Sequence, residues 1–334
     1  MLVTNSFLVY TKSKKNNILQ NPDINNITGF LGKSEVMKKV YVYGSLNYDL
    51  VINTERMPKM GETISGNGFF TNSGGKGANQ ATASSKLGGD TYLIGAVGCD
   101  VFGDECLQTL NEYKVNTGFV KRVNVNTGVA MITVCDGDNQ IILDPGANYH
   151  FKDEDLVKII NENVDGDVFI TQLETPLTQV ALALSCAKAK GAYTILNPAP
   201  AQMLGKDILS NVSLLIVNET ELEILSNTEL NYDALEESIL KGVNILKDSG
   251  VLDVLVTLGE KGCYYGNKFY PAFKVNAVDT TGAGDTFIGA LASKIASGNT
   301  IEESIRFCQF ASSITVSRKG AQVSIPYLEE VVLP

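Results

Sequence analysis

From Val40 onward, short apolar runs alternate with longer stretches in which apolar residues recur at three- and four-residue spacing. These two periods predict strands over 39–44, 91–97, 167–172, 192–197, 213–218 and 253–258. They predict helices over 77–87, 104–112, 153–162, 178–190, 233–248, 285–297 and 301–317. Regular strand–helix alternation predicts an α/β fold with a doubly wound, mostly parallel sheet flanked by helices. Two stretches interrupt the pattern. Residues 47–54 with 62–72, and 127–134 with 139–144, read as short antiparallel pairs, the second turning at Asp136-Gly137-Asp138-Asn139. They predict a small β-sheet lid, built from about 47–72 and 125–146, on a domain spanning 37–334. Residues 1–36 are rich in Asn and Lys and carry neither period, so they are expected to be a flexible N-terminal extension. Their apolar run Phe7-Leu8-Val9-Tyr10 is too brief for a signal-peptide core, and they contain no Arg, against a transit peptide.

The whole-chain balance narrows the chemistry. The 334 residues are 44% hydrophobic, enough for a sizeable core, and the formal net charge is −10. Such acidity argues against nucleic acid or an anionic membrane surface as a partner, since both need clustered Lys and Arg. No apolar run approaches the length of a membrane span. Six cysteines are scattered without a C-x-x-C pair, as expected for thiols in a reducing compartment, and the cytoplasm is the expected location. His150 is the only histidine, which removes multi-histidine metal sites and leaves catalysis to carboxylates, Lys, Cys, backbone amides or a bound metal.

Four motifs carry candidate chemistry. Val278-Asp279-Thr280-Thr281-Gly282-Ala283-Gly284-Asp285-Thr286-Phe287 follows a strand-like run and opens a helix. Its glycines let backbone N–H groups approach a ligand, and the helix N-terminus adds positive partial charge. An acid beside such an anion hole suits attack of a hydroxyl on phosphorus, with Asp285 taking the proton. A plain strand-to-helix turn would use the same residues. A dinucleotide fingerprint would want Gly where Phe287 stands, and no G-x-x-x-x-G-K-[ST] occurs. Ser73-Gly74-Gly75-Lys76-Gly77-Ala78-Asn79-Gln80 also enters a helix; Lys76 and Asn79 can donate to a sugar or a phosphate, or the stretch is simply a turn before a tightly packed helix. Asn218 and Glu221, at a strand end, could share a water or Mg2+, or form an N-cap with its capping-box Glu. Asn47 and Asp49 face one side of an extended segment and can grip neighbouring hydroxyls, or serve a turn. Glu174 and the loop Thr257-Leu258-Gly259-Glu260-Lys261-Gly262 also follow strands.

Taken in order, these motifs resemble the carbohydrate kinase family that includes ribokinases, fructokinases and adenosine kinases, from about Met37 to Tyr327. The ribokinase branch is nearest, through Gly44-Ser45-Leu46-Asn47-Tyr48-Asp49, Gly74 to Ala81, Leu173-Glu174, Asn197-Pro198-Ala199-Pro200-Ala201 and Arg318-Lys319-Gly320-Ala321-Gln322. The resemblance implies ATP-dependent phosphorylation of the primary hydroxyl of ribose, giving ribose 5-phosphate and ADP. It implies Asp285 as base and the Gly282, Ala283 and Gly284 amides as anion hole. Ribose would be held by Asn47, Tyr48, Asp49, Gly75, Lys76, Gly77, Ala78, Asn79 and Glu174. ATP would meet Asn218, the 257–262 loop, Gly284, Asp285 and Gln309, with Glu221 helping to place Mg2+. An activating K+ would sit on backbone oxygens of Asp279, Thr281, Thr315, Arg318 and Gly320 and on the Ser324 side chain. A homodimer through the lid is also implied. Gln309 departs from the Asn or His that relatives often carry near the adenine. Two other readings stay open here: another sugar or nucleoside kinase of the family, and a catalytically silent sugar- or nucleotide-binding sensor.

Overall fold

A computed structural model describes residues 37–135 and 138–333, so the expected extension at 1–36 and the Asp136-Gly137 turn tip lie outside the described residues. The chain begins with β1 (Lys39–Tyr43), β2 (Asn47–Asn53), β3 (Asn67–Gly74), α1 (Lys76–Lys86), β4 (Asp90–Gly98), α2 (Val101–Glu112) and β5 (Asn116–Val123). It continues through β6 (Gly128–Cys135), β7 (Asp138–Asp144), α3 (Asp153–Asn163), β8 (Val168–Thr171), α4 (Leu177–Ala189), β9 (Tyr193–Leu196) and α5 (Lys206–Leu209). Then follow β10 (Leu214–Val217), α6 (Glu219–Ser226), α7 (Leu235–Asp248), β11 (Asp253–Thr257), β12 (Cys263–Tyr265), β13 (Lys268–Tyr270), α8 (Ala283–Ala296) and α9 (Ile301–Val316).

Nine strands form one sheet in the order β13-β12-β11-β10-β9-β8-β1-β4-β5. Neighbours from β11 to β5 run parallel, and β12 and β13 close one edge antiparallel. Alternation along β1 shows why helices cover both faces. Val40 and Val42 pack with Ala78 and Ala81 of α1, Leu291 of α8 and Ile305 of α9. Tyr41 and Tyr43 point the other way, among Leu156 and Ile160 of α3 and Ala183 of α4. A third cluster packs β10 and β11 against α4, α6 and α7. Three strands escape the sequence pattern. β5 is a half-exposed edge with mixed polarity, and β12 and β13 are three residues each, too short for a period to register.

A second, four-stranded sheet has the order β3-β2-β6-β7. The β2–β3 and β6–β7 pairs are antiparallel, as expected, and the β2–β6 pairing that joins them is parallel. The second strand runs over Asn67–Gly74 rather than 62–72. Within it, Gly68, at φ 61, lies at an irregularity in the β2–β3 register.

Candidate active site

Chain order reverses at β1: from there the sheet grows to β4 and β5 on one side and to β8 through β11 on the other. Such a switch point opens a crevice outside the carboxyl ends of the strands. The candidate polar residues leave strands at that end. Asn47 follows β1, Glu174 follows β8, Asn197 follows β9, Asn218 follows β10, and Thr257 ends β11. A cavity of about 220 Å3 lies there, lined by Lys76, Asn197, Asn218, Glu221, Thr257, Gly282, Gly284 and Asp285 among others.

Two helices bring the acid and its partners together. α8 starts at Gly282, in the left-handed region at φ 77, and no side chain caps it. Its first amides therefore face a ligand rather than a cap. A Cβ added at Gly284 would meet nothing within 4 Å, so the space in front of the turn is open. α1 crosses α8 so closely that a Cβ on Gly289 would lie 2.5 Å from the Ala83 Cβ and from the Gln80 carbonyl oxygen. That approach delivers two donors to buried Asp285. Asn79 Nδ2 donates to Oδ2 at 3.0 Å and Gln80 Nε2 to Oδ1 at 2.9 Å. The buried Asn79 Oδ1 has no partner among the described residues.

Glu174 organises the other side of the crevice. Its Oε2 accepts from Ser45 Oγ at 2.6 Å, from the Lys76 amide at 3.1 Å and from Asn47 Nδ2 at 3.5 Å. Asn148 completes the frame. Its side chain accepts from the Leu46 amide and donates to the Leu46 carbonyl and to Asn47 Oδ1, at 2.9, 3.1 and 2.7 Å. Gly75 (φ 89) and Gly77 leave no room for a Cβ against the Ser45–Asn47 backbone and Gly44, and the Ala78 amide donates to the Ser45 carbonyl at 2.9 Å. These three residues hold backbone against backbone. Asp49 lies beside Gly74, where a Cβ would come within 2.3 Å of its carboxylate. Burial, with the Glu174 charge added, pushes the Asp49 carboxyl up to about 7. Tyr48 points to the opposite face of β2. Its ring stacks on Phe102 of α2, and its hydroxyl meets Glu105 and Thr71. Alternation along a strand forces this, so Tyr48 stands apart from Asn47 and Asp49.

Lys76 lies between the acidic groups. Burial works against its ammonium, but Asp285, Glu174 and Glu221 together outweigh burial and raise its pKa. The raised value keeps a positive charge in a crevice of a strongly acidic protein.

Asn218 and Glu221 form the capping box of α6, the Asn side chain accepting from the Glu221 amide at 2.8 Å and Glu221 Oε2 from the Asn218 amide at 2.9 Å. Both also line the cavity, so the structural and ligand-facing roles of this pair coexist. Burial raises the Glu221 carboxyl, partly offset by the Asn218 amide and Lys76 and reinforced by Asp285. Of the 257–262 loop, Thr257 reaches the cavity. Leu258 is buried, Gly262 turns tightly against Tyr270, and the Lys261 ammonium lies over the Tyr232 ring near Glu219. Gln309 is buried, donates to the Tyr270 carbonyl at 2.7 Å and does not line the cavity.

The 278–281 segment runs beside 315–320. Val278 N donates to the Val316 carbonyl at 2.7 Å, and Asp279 accepts from the Thr281 and Gly320 amides, each at 2.9 Å. Those amides overcome burial and hold the Asp279 carboxyl below its usual range. Thr315 Oγ1 meets Thr286, Ser324 Oγ donates to the Ala321 carbonyl, and the Arg318 side chain pairs with Glu330 at 2.6 Å. At the far end of α1, the buried Lys86 ammonium donates to the Gln322 and Ile325 carbonyls, at 2.9 and 2.8 Å, and lies over the rings of Tyr113 and Tyr327. Among the described residues, no group of three or more His, Cys, Asp or Glu could hold a metal ion.

An acid and a lysine at helix starts facing the crevice of a parallel sheet suit a small-molecule kinase, and the chain belongs to the pfkB family carbohydrate kinases, whose pattern it matches over residues 37–328. Within that family it is similar to Schizosaccharomyces pombe ribokinase, 43% identical over 309 residues that cover 88% of this chain and 97% of that protein. A Salmonella typhi deoxyribokinase is 35% identical over 299 residues, 87% of this chain and 96% of its own length. The solved structure of Arabidopsis thaliana ribokinase complexed with ribose and ATP matches with a TM-score of 0.79 and 33% identity, covering 89% of this chain and 98% of that one.

Asn148 and Gln172 stand in none of the quoted motifs, and Gln80 and Asn197 stand in them without a stated role, yet all four are bonded to candidate site residues or to one another. Each is a buried amide. The available signal is a polar side chain in the small-residue stretch of α1, or at the end of an apolar strand.

Proposed function

We propose that this chain is an ATP-dependent kinase that phosphorylates the primary hydroxyl of ribose, giving ribose 5-phosphate and ADP. The observation that carries the reading is Asp285, its two oxygens oriented by Asn79 and Gln80, at the uncapped start of α8 beside the open face of Gly284. Asp285 accepts the hydroxyl proton as the sugar oxygen attacks the γ-phosphorus of ATP and ADP leaves. Amides of the Gly282–Asp285 turn and the Lys76 ammonium meet the charge that builds on the phosphoryl oxygens. Asn47, Asp49, Lys76, Asn79 and Glu174 hold the sugar; Tyr48, Gly75, Gly77 and Ala78 shape their backbone. Asn218, Thr257, Gly284 and Asp285 face ATP from the cavity, while the rest of the 257–262 loop and Gln309 support its wall.

A divalent metal with ATP neutralises phosphate charge in such reactions. Glu221 suits an indirect role toward Mg2+: it is a cavity carboxylate already bonded to an amide, and Mg2+ keeps several waters and phosphate oxygens. An activating K+ would be held by the backbone oxygens of Asp279, Thr281, Thr315, Arg318 and Gly320 with Ser324. Support comes from the pairing of the 278–281 and 315–320 segments and from an all-oxygen donor set, which suits a hard cation. We also propose a homodimer through the lid, the cytoplasm as location, and 1–36 as an extension outside the kinase domain. Cys99, Cys106, Cys186, Cys263 and Cys308 are thiols, and among the described residues no helix is long and apolar enough to cross a membrane.

An ADP-release assay across pentoses, hexoses and nucleosides tests the reading. Ribose is expected to lead, and to exceed 2-deoxyribose by up to ~10⁴-fold in kcat/KM, because a site built to bond a hydroxyl is left unpaired without it. Preference for 2-deoxyribose or for a nucleoside would overturn the substrate, and no turnover with any acceptor would overturn the kinase.

A further inference from the structure

Beside Asp285 lies a chain of buried amides, Gln172, Gln80 and Asn197, of which only Asn197 lines the cavity. Gln172 and Gln80 are fully buried. Gln172 Nε2 donates to Gln80 Oε1 at 2.7 Å, and Gln80 Nε2 donates to Asp285 Oδ1 at 2.9 Å and to Asn197 Oδ1 at 3.3 Å. Asn197 Nδ2 in turn faces Glu221 Oε2 at 3.5 Å and the Ile216 carbonyl at 3.2 Å.

The polarity of this chain follows from its ends. An ionised carboxylate only accepts, so Gln80 must show Asp285 its NH2. Its oxygen is then turned to Gln172, which must answer with an NH2 of its own. Gln172 Oε1 ends the chain without a partner among the described residues, against Gly44, where a Cβ would come within 2.1 Å. An amide is nearly symmetric in shape and opposite in charge at its two ends. A reversed Gln80 would fit the same space while turning oxygen lone pairs on the base.

We propose that Gln80 and Gln172 are positioning residues: Gln172 fixes the direction of the Gln80 amide, and Gln80 aims the Asp285 carboxylate while linking it through Asn197 to Glu221. This inference rests on Asp285 being the base.

The test compares near-isosteric variants. Once ionised, at the upper end of the pH range assayed, Gln172→Glu supplies an acceptor where a donor is needed, so Gln80 swings its NH2 to the new carboxylate and its oxygen to Asp285. Gln172→Met supplies neither and leaves Gln80 facing Asp285. Gln172→Glu should lose about 10- to 100-fold in kcat, the worth of a hydrogen bond to a charged group, with KM for ribose and ATP within about twofold of wild type. Gln172→Met should lose only a few-fold. Equal kcat for the two variants would overturn the relay. Thermal melting shows whether each is folded; if Gln172→Glu does not fold, Gln80→Met, which removes the donor to Asp285, should lose about 10- to 100-fold in kcat, and a kcat within about twofold of wild type for that variant would overturn the relay. Asp285→Asn run alongside separates the two ideas. An active Asp285→Asn sinks the base itself, whereas an inactive one beside equal Gln172 variants sinks the relay alone.

Discussion

The two sheets differ in how they meet water. The nine-stranded sheet is covered on both faces, and β1, β8, β9 and β10 are buried almost end to end. The four-stranded sheet leaves Phe69, Phe70, Met131, Ile141, Ile142 and Leu143 exposed. Register divides these side chains between the two faces of the sheet. Phe70, Ile141 and Leu143 share a face with Asp49, and Phe69, Met131 and Ile142 take the other. A sheet buried by its own chain holds its neighbouring groups in close-packed, fixed surroundings. One that is half uncovered gains from a ligand or a second copy, each large apolar side chain taken out of water being worth about 1.5–3 kcal/mol. On this difference we propose that phosphoryl transfer belongs to the core and that substrate closure and assembly belong to the lid.

The hardest blow to this division is Asp285→Asn. Turnover should fall ~10²–10⁴-fold while ribose and ATP still bind, read by kcat and by calorimetric titration. Turnover within a few-fold of wild type would move the chemistry elsewhere. On the lid side, Asp49→Ala should lose about 10- to 100-fold in kcat/KM for ribose, through lost bonds to a charged acceptor.

Asp49 also predicts a pH effect. With its carboxyl near 7, it is mostly ionised at pH 8 and mostly protonated at pH 6, so KM for ribose should rise by up to about tenfold as pH falls across that range. The same shift acts on stability with a definite sign. The folded state holds this proton from the ordinary value of 3.8 up to about 7, so its contribution is complete below 3.8 and is lost as pH rises through 7. Asp49→Asn should flatten both trends; an unchanged KM profile would remove Asp49 from sugar binding.

Smaller in its effect on chemistry is a charged pair on the lid. Phe70→Glu with Ile141→Glu, on the Asp49 face that must be shielded when sugar is bound, should shift a micromolar sample from dimer to monomer by light scattering, with the core's melting temperature held. An unchanged mass would put the contact elsewhere. Smallest of all, removing residues 1–36 should leave kcat and melting unchanged, since the family match begins at residue 37.

How much of this is legible in the sequence depends on how local the cause is. Gly282, Gly284 and Asp285 sit within one turn, so their joint chemistry can be read from spacing. The strand ends carrying Asn47, Glu174 and Asn218 follow from the α/β alternation. The meeting of Gln80 with Asp285, 205 positions later, depends on the crossing of α1 and α8, which no periodicity encodes. A contiguous motif groups Tyr48 with its neighbours, yet the pleat separates it from them. The same applies to the 257–262 loop and Gln309, of which only Thr257 lines the cavity.

α1 is also a rigid bar, about 16 Å long at 1.5 Å per residue for its 11 residues. One end carries Lys76 and Asn79 into the crevice; the other ends on Lys86, gripped by the carbonyls of Gln322 and Ile325. The 322–325 segment is thus no free place for an insertion: a load applied there acts on the same bar that aims the partners of Asp285.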